Sequence, residues 1–418
     1  MTAARGMRRH RCVLALVAAV VIASTPAGAR DVTQKESDSA FRFFLNVKEE
    51  LVQRCIYRPS EVKIVGESLN GLARELDPEF APYFPEKLPA TFREAFEKYQ
   101  VAIRKLARTE AMEKRTLQDI VEQSLRAYCH TLDRYSDYDD LASSLREKAL
   151  KKADYVGVGM TIERTAEGFG CFPFPGGPAD LAGCISGDRL IEVNGTSVRG
   201  RNAADVGSMF PGPEGSIVRM RVRHVSDGKE EALEVKRGPI STSFISVEQG
   251  SGRATVRLRW LTDATVKDLR TFLRAARPGQ PLTIDFRGCH GGELKSAVAV
   301  AELFLPAGAT ICTIETRAGK EVFRSANATP FRATPLIILQ DKGTMSGAEL
   351  VTVALVTSPE VRAESRGERS YGKGVTLSEV EVVGGGRLRF ADGRIYGPHG
   401  EFWDGEGLPP SVEETRAK

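Results

Sequence analysis

The stretch "PLIILQDKGTMSGAEL" runs an apolar segment, Leu336 to Leu339, into a polar turn and then a serine, Ser346, where a helix begins. A serine hydroxyl acts as a nucleophile only when a neighbouring base takes its proton. Two candidate bases stand in similar surroundings. His290, in "DFRGCHGG", lies in a loop after another apolar segment and with Asp285 would make a Ser/His/Asp arrangement. Lys373, in "GERSYGKGVTL", is flanked by glycines 27 residues beyond the serine (373 − 346). A lysine at its reference value of about 10.4 is charged at neutral pH, so one serving as a base must be brought to near 7, worth about 4 kcal/mol. The run Gly343-Thr344-Met345-Ser346-Gly347 is not a G-x-S-x-G elbow, and Glu349 stands where S-x-x-K requires lysine. Ser346 also reads as an ordinary helix N-cap, with Glu349 completing a capping box. No CxxC or HExxH occurs, so neither a metal site nor a cofactor is expected.

These residues need strands and turns to hold them. From Ile240 onward "ATVRLRWL", "PLTIDF" and "PLIIL" read as strands. "TDATVKDLRTFLRAARPG" reads as a helix capped at Thr262 or Asp263, with Val266, Leu269, Leu273 and Ala276 on one face. Strands followed by a turn and a helix imply right-handed crossovers and a largely parallel sheet. Ligands in such sheets bind at the carboxyl ends of the strands, where both "DFRGCHGG" and "DKGTMSG" stand. Between Asp154 and Gly238 the texture changes to short strands and glycine turns, among them "YVGVGMTI" and "GGPADLAGCISGDRLIEVNGTSV". From Ser37 to Lys152 the chain is helically periodic, as in Phe92, Phe96, Tyr99 and Ile103.

The first 29 residues have a basic start (Arg5, Arg8, Arg9, Arg11), an apolar run from Cys12 to Ala23 and a small-residue site at Ala27-Gly28-Ala29. This is the form of a signal peptide cleaved after Ala29, with export to the periplasm or beyond. Its four arginines account for the excess of 59 basic over 55 acidic residues, so nothing in the remaining 389 residues (418 − 29) points to nucleic acid. Six cysteines remain after Cys12, an even number in an exported chain, and region by region they suggest disulfides Cys55–Cys129, Cys171–Cys184 and Cys289–Cys312.

The phrase from Gly176 to Val198 resembles a PDZ domain of the bacterial protease type. PDZ domains bind peptide ends as an added strand while backbone amides receive the terminal carboxylate. Val156, Gly157, Val158, Gly159 and Met160 would form that carboxylate loop. Over most of its length the chain resembles the carboxyl-terminal processing peptidases, or tail-specific proteases. "GPADLAGCISGDRLIEVNG" is similar to their PDZ signature, "IDFRGCHGGELKSAVAVAELFLP" to their D-L-R-x-N-x-G-G strand and helix, "GTMSGAEL" to their S-A-S-E turn, and "GERSYGKG" to their G-E-x-T-F-G-K-G stretch. The resemblance implies a Ser346 nucleophile and a Lys373 base on the strand after the serine's helix. The oxyanion would then meet backbone amides of Gly347 and of the Gly291-Gly292 turn.

The expected fold is multidomain α+β: signal peptide 1–29, helical region 30–152, PDZ-like domain 153–239 and α/β serine peptidase core 240–418. The expected activity is a serine endopeptidase that binds exposed C-terminal tails of protein or peptide substrates. An adaptor protein or homo-oligomer is left open. Two departures bear on activity. Leu377 stands where the family commonly has a glutamine that orients the base, and Cys289-His290 replace the usual Asn-Pro. They frame the second reading, a catalytically impaired relative acting as a PDZ-type peptide-binding protein.

Overall fold

The computed structural model describes residues 32–76, 88–109, 112, 115–141, 156–165, 168–173, 177–239, 245–249, 252–277, 279–328, 330–331, 335–382 and 386–414. The expected signal peptide and its cleavage site lie outside the described residues. Among those described, no helix is long and apolar enough to cross a membrane. The chain divides into two compact units, residues 1–146 with 377–391, and residues 147–376 with 392–418.

The first unit holds α1 (Gln34–Arg54), α2 (Glu61–Leu76), α3 (Phe92–Ala107) and α4 (Leu117–Leu132). Thr33, Thr91 and Thr116 begin α1, α3 and α4 by accepting the amides of Glu36, Glu94 and Asp119 on their side chains. The aromatic spacing in α3 does what its periodicity implies. Tyr99 and Ile103 are buried, and Phe96 stacks on Phe44 of α1 at 5.6 Å between ring centres. The short strand β1 (Asp137–Asp139) pairs antiparallel with Arg387–Arg389, which enter this unit from far along the chain. Val382, Leu388 and Phe390 complete the same apolar core as the helices.

The second unit begins with a PDZ-like sheet. β2 (Val156–Gly157) leads into β3 (Met160–Thr165) and β4 (Gly168–Pro173), then α5 (Pro178–Leu181), β5 (Asp188–Val193), β6 (Thr196–Ser197) and α6 (Ala203–Gly207). β7 (Ile217–Arg223), β8 (Glu230–Lys236) and β9 (Gly238–Pro239) follow. The strand order is β3-β4-β5-β7-β8, so β3 is an edge strand, and α6 packs alongside it. In β7 the alternation expected of a half-buried strand sends Val218, Met220 and Val222 inward between exposed neighbours. The Gly187-Asp188 turn has a physical cause on each residue. Gly187 has φ +93°, and the fully buried Asp188 carboxylate accepts the amides of Ile185 and Val225 and meets His224 Nδ1 at 2.8 Å.

The rest of the unit is α/β. β10 (Ile245–Gln249) pairs antiparallel with β11 (Ala254–Leu258). Then come α7 (Asp263–Ala275), β12 (Leu282–Asp285), α8 (Leu294–Glu302), the hairpin of β13 (Thr310–Thr316) and β14 (Gly319–Arg324), β15 (Leu336–Gln340), α9 (Gly347–Val356) and β16 (Ala363–Gly367). β11, β12, β15 and β16 are parallel neighbours, in register Asp285 beside Leu339 and Leu339 beside Arg366. β17 (Val375–Glu381) and β18 (Arg387–Tyr396) each run from one unit into the other, and β19 (Val412–Glu413) closes the parallel sheet beside β16. The carboxyl ends of β12 and β15 open into the Arg287–Glu293 and Asp341–Ser346 turns, as the parallel arrangement requires.

None of the three expected disulfides is formed. All six cysteines are buried thiols. Cys171 and Cys184 lie within hydrogen-bonding reach in the PDZ core, where that contact and burial push the Cys171 thiol well up. Cys55 and Cys129 pack in the helical core, and Cys289 and Cys312 in the α/β core. A buried cysteine packs as a small apolar residue, so an even count does not compel pairing.

Candidate active site

Ser346 sits between β15 and α9 with φ +54° and ψ −116°. A non-glycine residue there costs about 1–3 kcal/mol and persists only where its surroundings enforce it. The sequence lacks the elbow motif, yet the backbone makes a comparable sharp strand-to-helix turn. What enforces it is a set of bonds from neighbouring loops. Met345 N donates to Cys289 O at 2.9 Å, Thr344 Oγ1 to Phe286 O at 2.9 Å, and Asp341 Oδ1 accepts Gly288 N at 2.9 Å. The turn after β12 and the turn after β15 are thereby one structure.

Gly291 is the closest point between them. A Cβ there would lie 2.5 Å from Gly347 N, 2.7 Å from Met345 O and 3.0 Å from Ser346 Cβ, so only glycine fits. Gly292, at φ +149°, is pressed against the Leu261 backbone, and Leu261 N donates to Gly291 O at 2.6 Å. Among the described residues, none accepts the N–H of Gly347 or Gly292. Gly347 follows the serine in the chain, and Gly291, next to Gly292, packs against it.

Lys373 is not on the strand after the serine's helix. That strand is β16, and Lys373 lies half-buried in the extended stretch before β17 begins at Val375. Its backbone is fixed by a residue read from sequence only as part of a capping box. Glu349 is fully buried, and its carboxylate accepts four hydrogen bonds: Ser346 N and Lys373 N at 2.8 Å each on Oε2, Gly372 N at 2.7 Å and Ser370 Oγ at 2.5 Å on Oε1. Burial holds its pKa above the usual glutamate value, and the four donors oppose that rise. The backbones of Ser346 and Lys373 thus lie within two hydrogen-bond lengths of each other. The E of "MSGAE" and the serine of "GERSYG" were the available signals, but nothing in their spacing says that they meet.

The Ser/His/Asp grouping is not assembled. Asp285 is fully buried and gives its oxygens to Arg257 and Arg287, at 2.7–2.8 Å for Arg257 and 2.8 Å for Arg287 Nε and the second guanidinium nitrogen. His290 Nδ1 instead shares a hydrogen bond with Thr161 Oγ1 of β3. Cys289 is fully buried and its thiol is pushed up to about 12 by burial, which keeps it protonated and poorly nucleophilic.

Beside the PDZ-like sheet, β2 and β9 form a two-stranded sheet of their own, Val156 pairing with Pro239 and Gly157 with Gly238; Gly159 turns with φ +64°, and Val158 and Met160 anchor in the core. Val158 O accepts Ala179 N at 2.8 Å, tying the segment to α5. Among the described residues β3 pairs with β4 and lies at the edge of the sheet.

Residues 253–414 match peptidase family S41, and residues 175–224 match a PDZ domain. The chain is 25% identical over 299 residues to the carboxy-terminal processing protease CtpA of Bacillus subtilis, an alignment covering 70% of this chain and 64% of that protein. It is 27% identical over 285 residues to the chloroplastic carboxyl-terminal-processing peptidase 1 of Arabidopsis thaliana, covering 64% and 58%. The chain therefore spans about three fifths of the length of these relatives. In fold it matches a photosystem II D1 C-terminal processing protease, with TM-score 0.69 at 20% identity over 92% of this chain and 94% of the other.

Proposed function

We propose that the chain, whose residues 253–414 match peptidase family S41, is a serine endopeptidase working through a Ser346/Lys373 dyad on proteins with exposed C-terminal tails. The observation that carries the reading is the Glu349 oxygen shared by the Ser346 and Lys373 amides. In this reading Ser346 Oγ attacks the scissile carbonyl while the Lys373 amine takes its proton. The oxyanion is received by the amides of Gly347 and the Gly291-Gly292 turn, its collapse breaks the scissile C–N bond as Lys373 returns the proton to the leaving amine, and water hydrolyses the acyl-enzyme with Lys373 again as base. The strained backbone at Ser346 supports the assignment, because strain of that kind clusters at reactive residues.

The test is cleavage of an unfolded protein such as β-casein by the parent, Ser346→Ala and Lys373→Ala. Loss on the order of 10³-fold or more is expected in each variant. Parental cleavage by Lys373→Ala would remove the lysine as base.

The position of β3 at the sheet edge among the described residues, and the loop Val156–Met160, support tail capture. Amides of Val158 to Met160 receive the terminal carboxylate, and the tail extends the sheet as an added strand. With the Ser346→Ala protein, a peptide ending in small apolar residues is expected to bind at least about tenfold more tightly as the free acid than as the C-terminal amide. Equal affinities in a fluorescence-polarisation titration would exclude carboxylate recognition. The leader-like residues 1–29 support export, which would set the substrates among exported proteins.

A further inference from the structure

Resting on the reading of Ser346 as nucleophile and the glycine turn as its oxyanion donor, we propose that His290 is a positioning residue that braces this turn against Thr161 of β3. The Thr161 hydroxyl, 129 residues earlier in the chain, thereby becomes a determinant of turnover.

Gly291 and Gly292 occupy φ +81° and +149°, and glycine has more conformational freedom to lose on ordering than any other residue. The backbone bonds of Leu261 N to Gly291 O and of Met345 N to Cys289 O fix carbonyl oxygens of the turn. An oxyanion hole depends on where the N–H vectors point, and the side chain set between those two carbonyls is His290. Its ring is only 3% exposed. It meets Phe172 of β4 edge-on, with ring centres 4.7 Å apart at 90°, and tilts against Trp260 at 6.4 Å. The hydrogen bond between Nδ1 and Thr161 Oγ1 fixes the ring's rotation within that aromatic setting.

The same aromatic residue reaches the other half of the site. Phe172 is edge-on to Tyr371 at 5.5 Å, and Tyr371 N donates to Thr344 O at 3.0 Å, two residues before Ser346. The adjacent strands β3 and β4 therefore hold the glycine turn through His290 and the lysine-bearing stretch through Tyr371. Thr161 comes directly after the loop assigned above to the tail carboxylate. One strand is asked both to receive the tail and to brace the turn.

Three variants and one combination test this. Thr161→Val removes the hydroxyl at nearly constant shape, His290→Phe keeps a ring but not Nδ1, and Thr161→Ser restores the hydroxyl. With an internally quenched peptide bearing a free carboxylate, Thr161→Val and His290→Phe are each expected to lower kcat roughly 10- to 100-fold, with KM within about threefold. Thr161→Ser should keep the parental rate, and the double variant should be no slower than the worse single one, since both remove one interaction. In a Ser346→Ala background, amide exchange across residues 289–293 should speed up at least about tenfold in Thr161→Val. Parental kcat in Thr161→Val overturns the proposal, as does parental exchange at the turn or full additivity in the double variant. Undiminished cleavage by Ser346→Ala would instead sink the dyad reading, and the exchange comparison would still decide whether Thr161 braces the turn.

Discussion

Replacing Glu349 by glutamine is expected to lower both peptidase activity and stability, although it changes one atom and preserves shape. The carboxylate only accepts, and all four of its bonds come from donors. A glutamine offers one accepting oxygen and one NH₂ group. In one orientation the NH₂ faces the amides of Ser346 and Lys373, and in the other it faces the Gly372 amide and the Ser370 hydroxyl. Each buried N–H left facing a donor costs about 1–3 kcal/mol. In either orientation one side of the link between the serine turn and the lysine stretch is lost, and a displacement of order 1 Å costs roughly 10² in rate. Thermal unfolding together with kcat on an unfolded substrate measures both. A glutamine variant with the parental melting temperature and kcat would show that the carboxylate is a cap and nothing more.

The second large effect is expected from Gly291→Ala, paired with Gly308→Ala as control. Both glycines have positive φ, +81° and +88°, so both substitutions carry a similar backbone penalty of about 1–3 kcal/mol. Their surroundings differ. An added Cβ at Gly308 meets nothing within 4 Å, whereas at Gly291 it would run into the backbone of Met345 and Gly347 and the side chain of Ser346. Gly308→Ala should therefore cost stability without lowering kcat at a temperature where the protein is folded. Gly291→Ala should also lose about 10²–10³ in kcat, the scale of losing an oxyanion donor. Equal kcat in the two variants would dissociate the glycine turn from catalysis.

The parallel strands were legible because "PLTIDF" and "PLIIL" are short apolar runs ended by turns, the pattern of strands buried on both faces. The strand-end position of Ser346 followed from the same pattern, whereas its pairing with the glycine turn came from the family resemblance, since loops on adjacent crossovers need not converge. The four-fold use of Glu349 did not follow. A capping-box glutamate has the same spacing whether it serves one amide or three, and the additional donors come from 21 to 24 residues away. His290 was legible as a loop residue near the site, but its partner Thr161 is fixed by packing between side chains far apart in sequence. The disulfides were misread because cysteine parity reports on compartment and carries no geometry.

The insertion of residues 147–376 within the first unit has a consequence in time. Ile56 N bonds to Ala391 O at 2.9 Å, Arg387 pairs with Asp139 at 2.8 Å, and Leu388 and Phe390 fill the core beneath the helices. A ribosome that has finished α4 must add the whole intervening segment before supplying those groups, roughly 13 to 52 s at about 5–20 residues per second. Throughout that interval the helices can form but their shared core cannot close. The first unit is thereby held short of its folded state by the order in which the chain is made. Moving residues 377–391 next to α4 by circular permutation would remove that delay.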